Sequence, residues 1–283
     1  MTALLLAFLL LTPPSVPAEQ ALGSITLVQG PLTLIRGTNV YRGVEGMSLK
    51  RGDILETADG GFAQLEFSGG IVALGTSTRV YLLPSGGTSG GKPITLDFIV
   101  LNGWLKSETA GGKGLIRVRT SLLSATASGG AIVVRSGATT CEVFLESGGP
   151  LSISEVNASG ETGYSTQAKT GQFVARQKGA PLSALPRPSP DFLAAVPKEF
   201  RDTLPSRAAR FSDKPAAVKM EHAVSYDEIE SWLKMPAAWR RGLADRFSPR
   251  LADSNFRRQI ESHVREFPEW EPLLHPKKSS ESL

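Results

Sequence analysis

The sequence has a single cysteine, Cys141, and only three histidines among its 283 residues. One thiol excludes an intramolecular disulfide. It sits in Thr140-Cys141-Glu142-Val143-Phe144-Leu145, on the same side of an alternating pattern as Val143 and Leu145, so a buried structural cysteine is expected and not a nucleophile. His222, His263 and His275 have no second His or Cys at ligand spacing. Zinc requires three or four such groups, and no metal site is expected. A dominant charge is also lacking: 31 Lys and Arg face 27 Asp and Glu, a net charge of +4. Nucleic-acid binders usually carry a concentrated basic patch, so that class is excluded.

Long apolar runs are missing as well. The run Ala3 to Leu11 spans nine residues, far short of the roughly 20 that a membrane-crossing helix needs. Thr12-Pro13-Pro14 ends it, and Val16-Pro17-Ala18 supplies the small residues that precede signal peptidase cleavage. No Lys or Arg precedes the run, so the terminal amine alone serves as its positive end. Residues 1–18 are therefore expected to be a cleaved secretion signal. The mature chain would begin at Glu19, be periplasmic, and contain no membrane span and no cysteine for a lipid anchor.

Glycine is the next scarcity, and it is local. Of 29 glycines only Gly242 lies beyond residue 185. The earlier part is punctuated by glycine-rich turns, so the two parts must be built differently. Phe62 to Phe67 alternates, Ser68-Gly69-Gly70 reverses the chain, and Ile71 to Leu74 runs back as a hairpin. The same grammar is read in Thr140 to Glu146, Ser147-Gly148-Gly149-Pro150 and Leu151 to Ser154. Further strands are expected at Ser24 to Val28, Leu32 to Ile35, Arg79 to Leu83, Ile94 to Leu101, Leu115 to Thr120 and Ala131 to Arg135. Many short strands with regular turns predict a mainly β fold, an antiparallel sandwich or β-roll over residues 19–179.

Residues 180–190 contain Pro181, Pro186, Pro188 and Pro190. They read as an extended linker unable to join a sheet ladder. A helical region is expected over 191–275, with only short helices before residue 224. Ser225-Tyr226-Asp227-Glu228 is a capping box, Pro236 opens a second helix through Phe247, and Asp253 caps a third carrying Phe256, Ile260, Val264 and Phe267 on one face. Trp232, Trp239 and Trp270 belong to this region. Their spacing, with Leu243 and Phe247 following Trp239, favours packing onto the β part over display to a partner. Residues 276–283 are expected to be disordered.

The closest approach to a catalytic motif is Gly86-Gly87-Thr88-Ser89-Gly90-Gly91-Lys92, which matches G-x-x-x-x-G-K. Pro93 stands where a phosphate loop needs Ser or Thr, and a strand is expected where it needs a helix, so the stretch reads as a loop. Arg51-Gly52-Asp53 reads as a turn closed by the Asp53 side chain. Glu142 and Glu146 are expected on one solvated strand face. No catalytic, cofactor-binding or metal residues emerge, and no binding residues are identified.

One resemblance adds to this reading. Leu49-Lys50-Arg51-Gly52-Asp53-Ile54-Leu55-Glu56-Thr57, then Gly61 to Phe67 and Leu74-Gly75-Thr76-Ser77-Thr78-Arg79-Val80, resembles the FecR domain, the periplasmic part of FecR-type regulators. Arg117-Val118-Arg119-Thr120, Gly129-Gly130, Val143 to Gly148 and Thr170-Gly171-Gln172-Phe173-Val174 are similar to the family's second half, in order, over about residues 24–177. Ser68-Gly69-Gly70 replaces the family's acidic-Gly turn. The family's cytoplasmic anti-sigma segment and membrane span are not matched, a signal-like segment standing in their place. The resemblance implies a periplasmic all-β interaction domain, and hence a non-enzymatic binding or scaffolding module contacting an envelope protein or glycan. The alternatives are a periplasmic component of a cell-surface signalling system acting through a membrane partner, and an envelope hydrolase.

Overall fold

The computed structural model describes residues 21–83, 88–89, 92–109, 115–211 and 216–276. The signal-like segment 1–18, most of the Gly86 to Lys92 loop and the tail from 277 lie outside them. The described chain is a curled β-sheet folded on itself, with a helical layer on one outer face and an extended strap on the other.

The first half of the sheet, sheet A, starts at the two-residue β4 (Ser48–Leu49) and continues through β1 (Gly23–Gln29), β6 (Phe62–Phe67) and β7 (Gly70–Leu74). It then passes through the C-terminal part of β10 (Lys92–Thr109), β13 (Gly130–Ser136), β14 (Thr140–Gly148), β17 (Phe173–Gln177) and β18 (Ser183–Leu185). Sheet B runs from β19 (Met220–Ala223) through β3 (Asn39–Arg42), β2 (Leu32–Arg36), β5 (Ile54–Thr57) and β8 (Arg79–Leu82). It continues into the N-terminal part of β10, then β11 (Leu115–Arg119), β12 (Leu123–Ala127), β15 (Leu151–Val156) and β16 (Thr162–Ala168). All these pairs are antiparallel except β10 with β11. A small ladder joins β9 (Thr88–Ser89) to Lys92 and Pro93, so Lys92 opens a strand and not a phosphate-binding helix.

Strand β10 is what folds the sheet over. Its ladder in sheet B ends at Asn102, opposite Arg79, and its ladder in sheet A begins at Gly103, opposite Ser136. Gly103 has φ +98°, and a Cβ there would lie 2.4 Å from Thr78 Cα. Only glycine satisfies both constraints. Strands that pass from one layer to the other at a bend make the corners of such sandwiches.

Three apolar clusters follow from this arrangement. Leu34, Leu55, Val80, Phe98, Val100, Leu65, Leu105, Val134 and Val143 fill the space between the sheets. Ile35, Ile54, Tyr81 and Ile99 point the other way from sheet B, into the helical layer. Phe62, Ala73, Trp104, Val133 and Phe173 point outward from sheet A, under the strap. Ile54-Leu55, Val80-Tyr81-Leu82 and Phe98-Ile99-Val100 are continuous apolar runs because each strand is buried on both faces.

The helices form largely as expected. In α2 (Tyr226–Leu233) Ser225 and Glu228 make the reciprocal capping box. Pro236 precedes α3 (Ala237–Phe247), and the Asp253 carboxylate accepts from Asn255 and Phe256 N–H at the start of α4 (Ser254–Ser262). That last helix ends sooner than its apolar face: His263 leaves helical geometry, and turns carry Val264 and Phe267 into the same cluster. A short α5 (Glu271–Leu274) follows Trp270.

Three local expectations are corrected. Thr140 to Glu146 and Leu151 to Ser154 are not a hairpin: β14 pairs with β13 and β17 in sheet A, and β15 with β12 and β16 in sheet B. Gly148 and Gly149, at φ +82° and +113°, carry the chain from one sheet to the other. The proline-rich stretch does join a ladder, since Ser183–Leu185 falls between Pro181 and Pro186 and keeps its own N–H groups to pair with β17. Met220–Ala223, in the region expected to hold short helices, is a strand on β3.

Candidate functional site

The outer face of sheet A carries several buried and half-buried polar side chains. Gln64 and Glu66 project from β6, Lys106 and Glu108 from β10, and Glu146 from β14. Lys106 is 1% exposed. Its Nζ lies 2.8 Å from Glu146 Oε2 and 3.1 Å from Glu108 Oε1, and it donates to the carbonyls of Phe200 at 2.8 Å and Asp202 at 3.0 Å. A buried ammonium is tolerated because carboxylates balance its charge and carbonyls fill its remaining donor sites.

Those carbonyls belong to the strap. It begins with α1 (Pro190–Ala195), capped by Ser189, and runs across sheet A to residue 211. Phe192 seats it between Trp104 and Phe173, at ring-centroid distances of 5.2 and 5.0 Å. Phe200 and Leu204 are buried further along. Side chains of the sheet then hold its main chain. Leu204 N–H donates to Glu108, Gln64 Nε2 donates to Pro205 O at 2.8 Å, and Glu66 accepts from Ser206 Oγ at 2.7 Å, Arg207 N–H at 2.5 Å and Ala208 N–H at 3.2 Å. Burial pushes the Glu66 carboxyl up, but Ser206 and the Arg207, Thr26 and Ala208 donors outweigh it and hold it below its ordinary value. The face therefore reads an extended polypeptide through its backbone.

Beside the strap lies an open groove of about 630 Å³. Its wall combines Ile71, Lys106, Glu108, Glu146, Arg201 and Thr203. Opposite charges and hydroxyls stand beside apolar surface along this open groove, a mixture that suits a polypeptide laid across it.

A second concavity, of about 410 Å³, lies on sheet B and is lined by Glu56, Arg79, Ser77 and Asn102. Trp232 Nε1 donates to Glu56 Oε1 at 3.0 Å, and Arg79 Nε lies 3.1 Å from Glu56 Oε2. Burial pushes the Glu56 carboxyl up, and Trp232 and Arg79 reverse this only in part. These partners tie the helical layer to the sheet.

Residues singled out by the sequence fall mainly into structural roles. Cys141 is fully buried, and burial pushes its thiol up to about 12, so it stays protonated. Asp53 is buried, bound by Arg36 through both carboxylate oxygens at 2.8 and 2.6 Å, and accepts from Lys50 N–H at 2.8 Å. Gly52 at φ +85° makes the turn, and its carbonyl receives Arg246 from α3 at 2.5 Å. Thr57 Oγ1 donates to Gly75 O at 2.6 Å and accepts from Thr78 N–H at 2.9 Å. Thus the residues that carry the FecR resemblance close turns and join strands β5 and β8. His222 lies 2.7 Å from Glu228, and His263 stacks between Tyr226 and Phe267. Among the described residues no three His, Cys, Asp or Glu side chains gather as a metal-holding group, and no helix is long and apolar enough to cross a membrane.

One expectation changes here. Glu142 and Glu146 do share a face, but it is not freely solvated: the strap covers it, Arg135 reaches Glu142 at 3.4 Å, and Lys106 holds Glu146. Lys106, Glu108, Gln64 and Glu66 carried no sequence signal, since alternating polar residues in a strand normally face water. Trp232, Trp239 and Trp270 lie in the core as expected.

No family model matches the chain, and no curated protein matches it. Among solved structures, two crystal structures of a candidate anti-sigma factor from Parabacteroides distasonis ATCC 8503 are similar, each with a TM-score of 0.38. Identity is 12% and 11%, over 47% of this chain and 59% of that one. The chain thus spans less than two thirds of that protein, and a likeness this loose carries no argument about fold or function.

Proposed function

We propose that this chain is a non-enzymatic binding module of the bacterial envelope, exported to the periplasm, that contacts an envelope protein through the outer face of sheet A. The observation that carries this reading is the capture of residues 200–208: Lys106, Glu108, Gln64 and Glu66 hold a polypeptide main chain, and an open groove with the same charged wall continues beside it. Export and placement rest on the N-terminal apolar segment and on the FecR-like order of motifs. A segment of an envelope protein lying in the groove would meet Arg201, Thr203 and Glu146 at its rim.

A photoactivatable residue at Thr203 tests this in living cells, with another at exposed Arg258 on α4 as control. Adducts to an envelope protein from position 203 and none from 258 are expected. Equal adducts from both positions, or a chain recovered from the cytosol with Met1 intact, would overturn the reading.

A further inference from the structure

A β-sheet edge left open presents a row of unpaired N–H and C=O groups to any strand that approaches, and folded proteins normally blunt such edges with prolines, charges or brevity. Among the described residues, three of the four edges of sheets A and B are blunted. Strand β4 has two residues, and beyond it Gly46, Met47 and the Glu45 carboxylate occupy the β1 backbone at Ile25 and Val28. Strand β18 is three residues long between Pro181 and Pro186. Strand β19 carries Glu221 and His222 and follows Lys219.

The fourth edge is different. Strand β16 runs seven residues, Thr-Gly-Tyr-Ser-Thr-Gln-Ala, with no proline and no charge. It pairs with β15 on one side, and among the described residues no strand lies on the other. Six of its seven residues are not buried, and Tyr164 is 67% exposed, the most exposed large hydrophobic side chain described.

The flanking charges say what fits. We propose that β16 is a self-association edge that pairs antiparallel with β16 of a second copy, about a two-fold axis at Ser165. An isologous contact of this kind places each residue opposite its mirror in the sequence. Ser165 then meets Ser165, Tyr164 meets Thr166, Gly163 meets Gln167 and Thr162 meets Ala168. The residues just beyond the strand, Glu161 and Lys169, meet each other at both ends. Aromatic with β-branched pairs and opposite charges are favourable cross-strand neighbours. Both Glu161 and Lys169 are exposed. Glu161 also accepts from Ser159 Oγ at 3.1 Å within its own turn. The ladder with β15 shifts by one residue between Ser165 and Thr162, which displaces the Glu161 end by one position, and two long side chains reach across that distance. Any centre other than Ser165 loses the match of Glu161 to Lys169. A seven-residue edge buries well under the ~1,600 Å² of a standard interface, so the pair is weak and reversible.

Sedimentation analysis of the purified protein up to millimolar concentration provides the test. The wild type is expected to dimerise with rising concentration, and hydrogen exchange at Thr162 to Ala168 to slow in step. Lys169→Glu alone, which sets two carboxylates together at each end, should weaken the dimer by about tenfold or more. Glu161→Lys alone should do the same, while a mixture of the two single variants should restore association, because every facing pair is then opposite in charge. Thermal unfolding of each variant separates this from misfolding. A monomer at all concentrations, or a dimer indifferent to these reversals, would overturn the proposal. So would protection of residues 162–168 that arises only when envelope extract is added, which would give the edge to another protein.

Discussion

The two outer faces of the sandwich are covered in opposite ways. On sheet B the helical layer is held by apolar shape: Trp232, Trp270, Phe247 and Phe256 are fully buried against Ile35, Ile54, Tyr81 and Ile99. On sheet A the strap is seated by Phe192, Phe200 and Leu204 and is also fastened by carboxylates, an amide and an ammonium acting on its backbone. The first kind of cover depends on buried area and tolerates no lost volume. The second depends on a few hydrogen bonds whose strength changes with protonation. The two covers should therefore answer to different perturbations.

Removing volume from the helical layer should have the largest effect. Trp232→Ala deletes a fully buried indole and leaves the half-buried Glu56 carboxylate without that donor. It is expected to destabilise the whole protein by about 3–5 kcal/mol, read as a fall in denaturation midpoint for strands and helices together. A loss confined to α2–α5 would show that the layer is an appendage.

Phe192→Ala should act more locally. It empties the space between Trp104 and Phe173 and costs about 3 kcal/mol, concentrated in the strap. Limited proteolysis should then cut within residues 189–211 well before the sheets unfold. Unchanged cutting there would mean that the polar contacts alone hold the segment.

Protonation gives the smallest effect and the sharpest contrast. Glu66 is held below its ordinary value of 4.5, so its contribution is complete above that value and is lost as pH falls through the lower folded one. Exchange of the Arg207 and Ala208 amides should quicken in that acid range, and Glu66→Gln should abolish the change at a cost of about 1–3 kcal/mol to strap closure at neutral pH. Glu56 is held above 4.5, so its folded form prefers the proton, and its contribution grows as pH falls through its raised value. Opening of the layer should therefore become harder on mild acidification, read from exchange of the Trp232 backbone amide, even as the indole N–H loses a charged acceptor. Glu228, below its ordinary value at the first turn of α2, works the other way, so comparison with Glu56→Gln isolates the Glu56 contribution. Parallel responses at the two faces would collapse the distinction.

Legibility in the sequence differed between the same two faces. The helical layer could be read: the capping box at Ser225, the Asp253 cap and the spacing of Trp239, Leu243 and Phe247 are local signals, and they produced α2, α3, α4 and their buried face. The strap could not, because Gln64, Glu66, Lys106 and Glu108 look like solvent-facing residues of their strands. Their partners lie 94 to 142 residues away in the chain, and no local pattern encodes such a meeting.

By itself, the sequence determined the β-rich part, most of its strands, the change to helix after Ser225 and the burial of Cys141 and of the tryptophans. Each of these follows from periodicity, capping or turn chemistry within a few residues. The tertiary structure decided that β10 belongs to both halves of the sheet, that Ser147 to Pro150 crosses between them instead of closing a hairpin, and that residues 183–185 and 220–223 add strands. It alone buried Lys106 and Glu66 beneath the strap, half-buried Glu108 and Glu146 beside them, and left β16 open. Those outcomes depend on which segments meet across long loops, and meeting is set by the packing of the whole chain, not by any stretch of it.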